Sequence, residues 1–369
     1  MSRFKKFIEV DVLTESRKRM SHLYGVFDTV VVCFSGGKDS LVCLHLAWEE
    51  AQRRGQTEVN VIFRDEELIP NSVIDFVDGY RRRPWINLKW YCVPLQSEKF
   101  ILGKRISYVQ WDRDRQWVRE KPAWGIEQPA DQYRVMNQYN CDEYMTRDYK
   151  GSVALITGIR AAESLVRYRS VVNKLNENYI CKAEGGLSRS RLCKPIFDWS
   201  EGDIFKYLGE SGIAWCNLYD AQHITGNNLR VSTPLHAESA KRFSQWRKQD
   251  PDFYQRVIDV FPEMLVQDRY WGDYDASAIR LEYETDDLSG CRRYINEQIE
   301  DPKQKQAALK RLREFKMLRL RDTEAYPSEL LLRALVSGSI KRTIIPLNKD
   351  QQKARHAKAK AKAGTSAGA

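Results

Sequence analysis

The feature that most constrains the fold of this chain is the stretch from residue 30 to residue 45, which reads VVVCFSGGKDSLVCLH. A run of β-branched apolar residues, typical of a buried strand, enters a Ser-Gly-Gly turn at residues 35–37 and leads directly into a helical pattern. The start of such a helix binds anions, because its unpaired N–H groups and its dipole both favour negative charge. The sequence therefore predicts a phosphate site, to which Lys38 adds a positive charge and Ser40 a hydroxyl group.

The motif Ser-Gly-Gly-Lys-Asp-Ser differs from a Walker motif, since its two glycines are adjacent and an aspartate follows the lysine. It resembles the pyrophosphate loop of the N-type ATP pyrophosphatases, which cleave ATP between the α- and β-phosphates or act on adenylyl sulfates. The resemblance implies that ATP is the cofactor and that Mg²⁺ bridges its phosphates, with Asp39 as a metal ligand. The implied nucleotide-binding residues are Ser35, Gly36, Gly37, Lys38, Asp39 and Ser40. An ordinary strand-to-helix turn is the alternative interpretation.

Strands and helices alternate along the first half of the chain. Periodicity predicts helices over 11–24 and near 72–80, and strands over 29–34, 59–63, 88–93 and 153–157. This alternation predicts an α/β fold with a doubly wound parallel sheet, which agrees with the adenine nucleotide α-hydrolase-like fold that the resemblance implies. Asp65 and Glu67 follow the second strand, at the sheet edge where such folds bind ligands, so we expect them to contact the nucleotide or a metal.

Residues 96–150 form an insert that is too long for a simple connection and is rich in tryptophan and tyrosine. Between Trp111 and Arg119, aromatic rings alternate with guanidinium groups, a pattern that suits stacking on bases beside phosphates. One interpretation is a nucleic-acid contact through residues 105–124. The other is that the tryptophans dock the insert onto the core while the intervening charges pair with each other.

A second strand-to-turn motif, Gly158-Ile159-Arg160-Ala-Ala-Glu-Ser, follows the strand over 153–157. Guanidinium groups make forked contacts to phosphate or sulfate oxygens, so the arginines of this segment are candidate anion ligands. The motif resembles the Gly-x-Arg-x-x-Glu-Ser signature of phosphoadenosine phosphosulfate reductases and sulfate adenylyltransferase small subunits. The resemblance and the charge pattern together select Gly158, Arg160, Glu163, Ser164, Arg167 and Arg169 for the nucleotide site. A solvated helix face is the alternative for these arginines.

A third segment, Lys-Pro-Ile-Phe-Asp-Trp-Ser-Glu-Gly-Asp-Ile at residues 194–204, resembles the one that closes the same domain. Ser200 is predicted there as a helix N-cap. The resemblance covers roughly residues 10–225. Through Val93-Pro94-Leu95 and residues 110–119, the chain most resembles the reductase-like proteins named for the immunoglobulin-binding regulator A of bacteria and their phage relatives. That resemblance implies a ParB-like protein partner.

Cysteine placement argues against thiol-dependent reduction. The reductases carry a nucleophilic cysteine in a C-terminal Glu-Cys-Gly-x-His segment, and nothing after residue 225 matches it. Cys291 has two adjacent arginines that would favour a thiolate, but no histidine follows. Cys181, Cys193 and Cys216 are irregularly spaced, which disfavours an iron–sulfur cluster, and the absence of Cys-x-x-Cys disfavours a disulfide framework.

The 369 residues carry a formal net charge of +10, much of which lies at the C-terminal end. From residue 349 to residue 362, six basic residues accompany one acidic residue, and we expect residues 348–369 to be a disordered basic tail that either touches nucleic acid or aids solubility. Residues 226–347 are expected to form a helical domain, with a helix over 302–321. No segment reads as a membrane span or signal peptide, so a cytoplasmic location is expected.

These features predict an enzyme with a PP-loop nucleotide-binding domain over 1–225. Lys38, Asp39 and Arg160 are the predicted catalytic residues, and an unidentified acceptor attacks the α-phosphate of ATP to become adenylylated. The alternative is a regulator that senses ATP or an adenylyl sulfate without chemistry and acts with a ParB-like partner on DNA. The sequence leaves the acceptor and the oligomeric state open.

Overall fold

The computed structural model describes residues 9–172, 177–182, 189–224, 233–271, 276–338, 340 and 343–356. The chain divides into two compact units. The first comprises Met1–Ser97, Ser107–Pro234 and Arg242–Pro262, and the second comprises Glu98–Ile106, Leu235–Lys241 and Glu263–Ala369. This division follows the packing of the chain, and the predicted domain boundaries at residues 225 and 347 stay predictions.

A largely parallel sheet forms the centre of the first unit. The strands of the chain are β1 (Thr29–Cys33), β2 (Val59–Arg64), β3 (Ile86–Tyr91), β4 (Leu95–Ile101), β5 (Lys104–Gln110), β6 (Val153–Ile156), β7 (Ile180–Lys182) and β8 (Ser190–Cys193). Among the described residues, the main sheet has six strands in the order β3-β2-β1-β6-β8-β7, and β4 pairs with β5 separately. Only the pairing of β7 with β8 is antiparallel within the described sheet. The predicted α/β fold with a doubly wound, mostly parallel sheet is confirmed.

The central strands are apolar because helices cover both faces of a parallel sheet. Val31 and Val32 of β1 are fully buried, and all four residues of β6 are buried. Val31 lies between Asn60 of β2 and Leu155 of β6 in the register. The strand order reverses between β1 and β6, and ligands of open α/β sheets bind at such a switch point.

The helices predicted over 11–24 and near 72–80 are confirmed, and their ends lie within two residues of the predicted ones. In chain order the helices are α1 (Val12–Val26), α2 (Lys38–Arg53), α3 (Asn71–Arg81), α4 (Gln138–Thr146), α5 (Leu165–Val172), α6 (Glu201–Glu210), α7 (Leu218–Ile224), α8 (Ala237–Ala240), α9 (Trp246–Gln249), α10 (Pro251–Val260), α11 (Met264–Tyr270), α12 (Ala276–Tyr283), α13 (Ser289–Gln298), α14 (Pro302–Arg321) and α15 (Ser328–Val336). The predicted N-cap at Ser200 is confirmed, since its side chain accepts a hydrogen bond from the Asp203 N–H and Asp203 caps in return. By contrast, α2 has Gly37 as its N-cap and therefore no side-chain cap of its own.

The aromatic insert packs on the sheet rather than standing apart from it. Trp111 is 1% exposed, and the backbone around Ile126 bridges to Tyr91 at the end of β3. Met136 joins the apolar core that contains Val31 and Leu155. The part of the insert from Ser107 onward belongs to the first unit, whereas Glu98–Ile106 belong to the second.

The second unit has a helical core of its own. Residues of α13, α14 and α15 pack together there, among them Ile295, Phe315 and Leu331. The predicted helix over 302–321 is confirmed as α14. Residues 349–356 of the predicted disordered tail are helical, whereas 357–369 lie outside the described residues. In the part of the chain that the structure describes, no helix is long and apolar enough to cross a membrane.

Candidate nucleotide site

Two motifs that are far apart in sequence meet at the switch point of the sheet. The loop after β1 leads into α2, and the loop after the neighbouring strand β6 begins at Thr157 and Gly158. A Cβ atom added at Gly158 would lie 2.6 Å from the backbone of both Asp39 and Ser40. Real side chains do not tolerate such a distance, so glycine is required for the two loops to approach this closely.

The loop at residues 35–40 is stabilised by its own serines. The Ser35 N–H donates to Ser40 Oγ at 3.2 Å, and Ser40 Oγ donates to the Gly37 carbonyl at 2.9 Å. Gly36 has a φ of +75°, which favours glycine, and a Cβ there would lie 2.9 Å from Val73 and Val77 of α3. The predicted turn is therefore confirmed, with a glycine required at residue 36 and two serines that hold the loop by hydrogen bonds.

Lys38 is buried at the start of α2, with 3% of its surface exposed. Its ammonium lies 3.1 Å from Oδ2 of Asp39 and 3.3 Å from Oε1 of Glu201, the first residue of α6. It also lies 5.3 Å from the centre of the Tyr219 ring. A buried ammonium needs such partners, because an unpaired charge in a low-dielectric environment is costly.

Arg160 reaches the same carboxylate from the opposite loop. Its Nε donates to Oδ1 of Asp39, and its guanidinium is almost as buried as the Lys38 ammonium. The Arg160 N–H donates to Oε2 of Glu163 at 3.1 Å, which fixes the turn after β6. The structure thus brings together Lys38, Asp39 and Arg160, the three residues predicted to be catalytic.

The remaining residues of the second motif lie farther out. Glu163 pairs with Arg167, whose side chain is exposed on α5. The Ser164 hydroxyl accepts a hydrogen bond from the Arg167 N–H, so it serves as a cap for α5. Arg169 is exposed on the same helix. These contacts fit the alternative of a solvated helix face for Arg167 and Arg169, and their role in nucleotide binding stays a prediction.

Asp65 is fully enclosed at the end of β2. One of its oxygens accepts from the Glu67 N–H at 2.9 Å and from the Arg119 guanidinium, and the other accepts from the Trp90 indole at 2.8 Å. With 1% of its surface exposed, Asp65 is occupied by protein partners. The geometry does not favour the predicted contact of Asp65 with a nucleotide or a metal.

Glu67 is the other carboxylate that connects β2 to the insert. Both of its oxygens accept from the Arg115 guanidinium, at 2.7 and 2.6 Å, and further bonds come from the N–H groups of Trp111 and Val118. Glu67 has a φ of 61° and Trp111 a φ of 51°, conformations that are uncommon outside glycine. Of the two interpretations of the insert, the structure agrees with docking through paired charges and not with Arg115 and Arg119 free for nucleic acid.

Tyr219 also contributes to the site, although no sequence pattern predicted it. Its Oη accepts a hydrogen bond from the Lys38 N–H at 3.0 Å, and 3% of its surface is exposed. Burial raises the pKa of the Tyr219 phenol well above its usual range. The hydroxyl is therefore neutral at physiological pH. Tyr219 lies on α7, and only a contact across more than a hundred and fifty residues of sequence brings it to the loop.

The donor set at Asp39 does not fit a magnesium ion. Its two oxygens already pair with Arg160 and Lys38, and these two cations both neutralise the carboxylate and repel a third positive charge beside it. Within the described ranges, no group of three or more histidine, cysteine or acidic side chains is arranged to hold a metal. We therefore derive no step through Mg²⁺ at Asp39.

Cys181 and Cys193 lie on the paired strands β7 and β8, whereas Cys216 precedes α7. Cys181 donates to the Ser170 carbonyl, whereas Cys216 donates to the Ser72 carbonyl. Cys291 is buried, and desolvation raises the pKa of its thiol to about 12. The suggestion that its neighbouring arginines favour a thiolate is wrong, because burial outweighs their effect.

Comparison with known proteins identifies the family. The profile of the family described as the phosphoadenosine phosphosulfate reductase domain matches residues 29–259. The chain belongs to this family. The matched region contains both loops of the site and all the residues predicted to hold the nucleotide.

Two curated relatives show how this family member compares with others. It is 26% identical over 271 residues to the uncharacterized protein YbdN of Escherichia coli K12, a match that covers 68% of this chain and 66% of YbdN. It is 25% identical over 222 residues to the phosphoadenosine 5'-phosphosulfate reductase of a Synechococcus species, covering 59% of this chain and 81% of the reductase. The chain thus spans slightly less than two thirds of the length of YbdN.

Solved structures show weaker similarity. The FMN adenylyltransferase of Candida glabrata, in complex with FMN and an ATP analogue, has 14% identity and a TM-score of 0.37, covering 58% of this chain and 63% of that one. The phosphoadenylyl-sulfate reductase of Candida auris has 14% identity and a TM-score of 0.31, covering 59% and 93%. TM-scores below 0.5 do not establish a shared overall fold, and the fold assignment rests on the sheet order described above.

Proposed function

We propose that this family member binds ATP at the loop of residues 35–40, cleaves its α–β bond and transfers the adenylyl group to an acceptor. Support comes above all from one observation, the pair of buried cations Lys38 and Arg160 on either side of the Asp39 carboxylate. Their position beside an uncapped helix N-terminus favours a polyphosphate. We also propose that the protein is related to the immunoglobulin-binding regulator A group and that it acts in the cytoplasm.

The proposed reaction is a displacement at the α-phosphorus. A nucleophilic atom of the acceptor forms a bond to this phosphorus, and the bond from the phosphorus to the α–β bridging oxygen breaks. Pyrophosphate leaves with the electron pair of that bond, and the acceptor loses its proton to solvent. Phosphoryl chemistry of this kind depends mainly on positioning and electrostatics. Bound Mg²⁺ would supply charge neutralisation on the phosphates of the nucleotide.

The chain's own residues have distinct roles in this proposal. The backbone of residues 35–37 surrounds the phosphates, and the Lys38 ammonium neutralises them. Arg160 exchanges its contact with Asp39 for the leaving pyrophosphate, whose negative charge grows as the bond breaks. When no phosphate is bound, the Asp39 carboxylate pairs with the Lys38 ammonium and the Arg160 guanidinium and fixes their positions. Thiol-dependent reduction is not proposed, since the Cys291 thiol is buried.

Turnover of two variants tests the proposal. Lys38→Ala and Arg160→Ala should each lower the rate of pyrophosphate release by about 100-fold or more, the usual effect of removing one preorganised electrostatic contact. Lys206→Ala and Arg17→Ala are matched controls, because these side chains are exposed and form surface ion pairs. Full activity in either site variant, with the controls also active, would contradict the proposed roles.

A further inference from the structure

The Lys38 amide is the first N–H group of α2 and is the contact that a phosphate oxygen would use at this helix end. The Gly37 N-cap has no side chain, so the helix does not satisfy this group itself. The N–H instead donates to Tyr219 Oη at 3.0 Å. The hydroxyl of a residue from α7 thereby occupies the anion position of the loop.

The surroundings of Tyr219 are arranged to keep its hydroxyl at this place. The ring packs 5.3 Å from the Lys38 ammonium, a distance within the range of a cation–π contact. The neutral phenol supplies a lone pair to the amide and introduces no second negative charge beside Asp39. A phosphate oxygen would need the same direction of approach, because one N–H group forms one strong, nearly linear hydrogen bond.

The element that carries Tyr219 is small. The helix α7 has only seven residues, from Leu218 to Ile224, and Ile224 at its end is 84% exposed. Helices this short have little stability of their own and depend on tertiary contacts. The buried residues of α7 are Leu218, Tyr219 and Gln222, so the Tyr219 hydrogen bond is one of the few contacts that hold this helix in place.

We propose that Tyr219 is a positioning residue that holds the place of a nucleotide phosphate oxygen on the Lys38 amide, and that nucleotide binding displaces its hydroxyl and releases α7. This inference rests on the proposed function, since it names a competitor for the same nucleotide. The inference adds to the proposed function that nucleotide binding at the loop changes the position of α7. The surface that α7 covers becomes accessible only when phosphate is bound.

Calorimetric titration of the full chain with the non-hydrolysable analogue AMPCPP tests this inference. Tyr219→Phe leaves the Lys38 amide without its partner in the free protein, so the variant should bind the analogue about three- to ten-fold more tightly. Tyr207→Phe is the matched control, because it removes a hydroxyl that donates to Glu49 at 2.9 Å and does not touch the loop. Its affinity should stay within two-fold of the wild type.

Hydrogen exchange gives a readout that needs no variant. In the wild type, the amides of residues 218–224 should exchange several-fold faster when AMPCPP is bound, whereas a ligand that merely covers the segment would slow them. Slower exchange, or weaker or equal binding by Tyr219→Phe, would overturn the inference and leave the proposed nucleotide site intact. If the wild type binds neither AMPCPP nor pyrophosphate, the proposed function itself fails.

Discussion

At the residue scale, the site depends on how two cations and two carboxylates, those of Asp39 and Glu201, satisfy each other. Lys38 and Arg160 are buried cations, and Asp39 supplies one oxygen to each. Desolvation makes such a cluster costly unless its charges are balanced. The same balance makes the site responsive to a second anion, since a phosphate can take over the contacts that Asp39 provides.

Replacing Asp39 tests this balance. Asp39→Asn keeps the shape of the side chain but leaves two buried cations without their shared carboxylate, so the free energy of unfolding should fall by about 3 kcal/mol. Pyrophosphate should restore the loss, because it supplies the missing negative charge. The measurement is thermal unfolding with and without pyrophosphate, and the midpoint of the variant should rise more than that of the wild type. Equal stability of the two proteins without ligand would refute this account of Asp39.

At the element scale, the sequence predicts β1, β2, β3 and β6 better than it predicts which strands are neighbours, and it does not predict β7 or β8. The strands over 29–34 and 153–157 could be predicted because buried parallel strands read as continuous apolar runs. Their adjacency in the sheet is a long-range property, and the motif resemblance rather than periodicity pointed to it. Tyr219 escaped prediction for the same reason, since its contact with Lys38 depends on how α7 folds back.

The docking of the insert on β2 shows where local patterns mislead. Arginines beside tryptophans predict nucleic-acid contacts when taken alone, yet Arg115 and Arg119 pair with carboxylates at the end of β2. The sequence of the insert does not reveal these partners, which lie about fifty residues earlier. Both alternatives could be stated from sequence, but the choice between them required the structure.

The pair formed by Glu67 and Arg115 gives an element-scale prediction. Arg115→Ala leaves the fully buried Glu67 carboxylate without its guanidinium, so the variant should lose about 3 to 5 kcal/mol of unfolding free energy in urea. Arg113→Ala is the control, because this nearby arginine is exposed and packs over the Tyr133 ring. If the two variants are equally stable, the insert is not held by this ion pair.

Contact between α2 and α3 gives a pH prediction. His45 of α2 lies 3.0 Å from the Tyr80 hydroxyl of α3, and desolvation lowers the pKa of His45 to about 4. The unfolded chain binds a proton at His45 near pH 6.5, before the folded protein does. Stability is therefore fully present above that pH and is lost as the pH falls towards 4. Unfolding midpoints of the wild type and His45→Gln, measured from pH 7.5 to 4, should show a steeper fall for the wild type. Parallel curves would mean that His45 does not contribute.

At the scale of the whole molecule, the positive charge is unevenly distributed. The helix α14 carries eight basic residues and one acidic residue, in a chain whose formal net charge is +10. Its apolar face, which includes Ala308, Leu312 and Phe315, is buried in the second unit. Lys303, Lys310 and Arg313 lie on its exposed side. Since Arg115 and Arg119 are committed to ion pairs, charge favours α14 over residues 105–124 for binding a polyanion.

Charge reversal on α14 tests the prediction of nucleic-acid binding. The triple variant Lys303→Glu, Lys310→Glu, Arg313→Glu should bind duplex DNA at least ten-fold more weakly than the wild type. Its affinity should also depend less on salt, because each phosphate contact adds about 0.9 to the slope of log binding constant against log salt concentration. A control with the same charge change, Lys150→Glu, Arg134→Glu, Lys248→Glu, replaces exposed residues of the first unit. The measurement is the affinity of both triple variants for labelled duplex DNA, by fluorescence anisotropy at several salt concentrations. Equal losses in both variants would indicate a general charge effect and not a specific surface.

The loop of residues 35–40 is proposed to direct cleavage between the α- and β-phosphates of ATP. Incubation of the pure chain with α-³²P-labelled ATP and Mg²⁺, with and without duplex DNA, followed by separation of AMP from ADP, measures this most directly. We expect labelled AMP or a labelled adenylylated acceptor from the wild type, and about 100-fold less of either product, or none, from Lys38→Ala. Labelled ADP as the product, or AMP formed equally by Lys38→Ala, would contradict it.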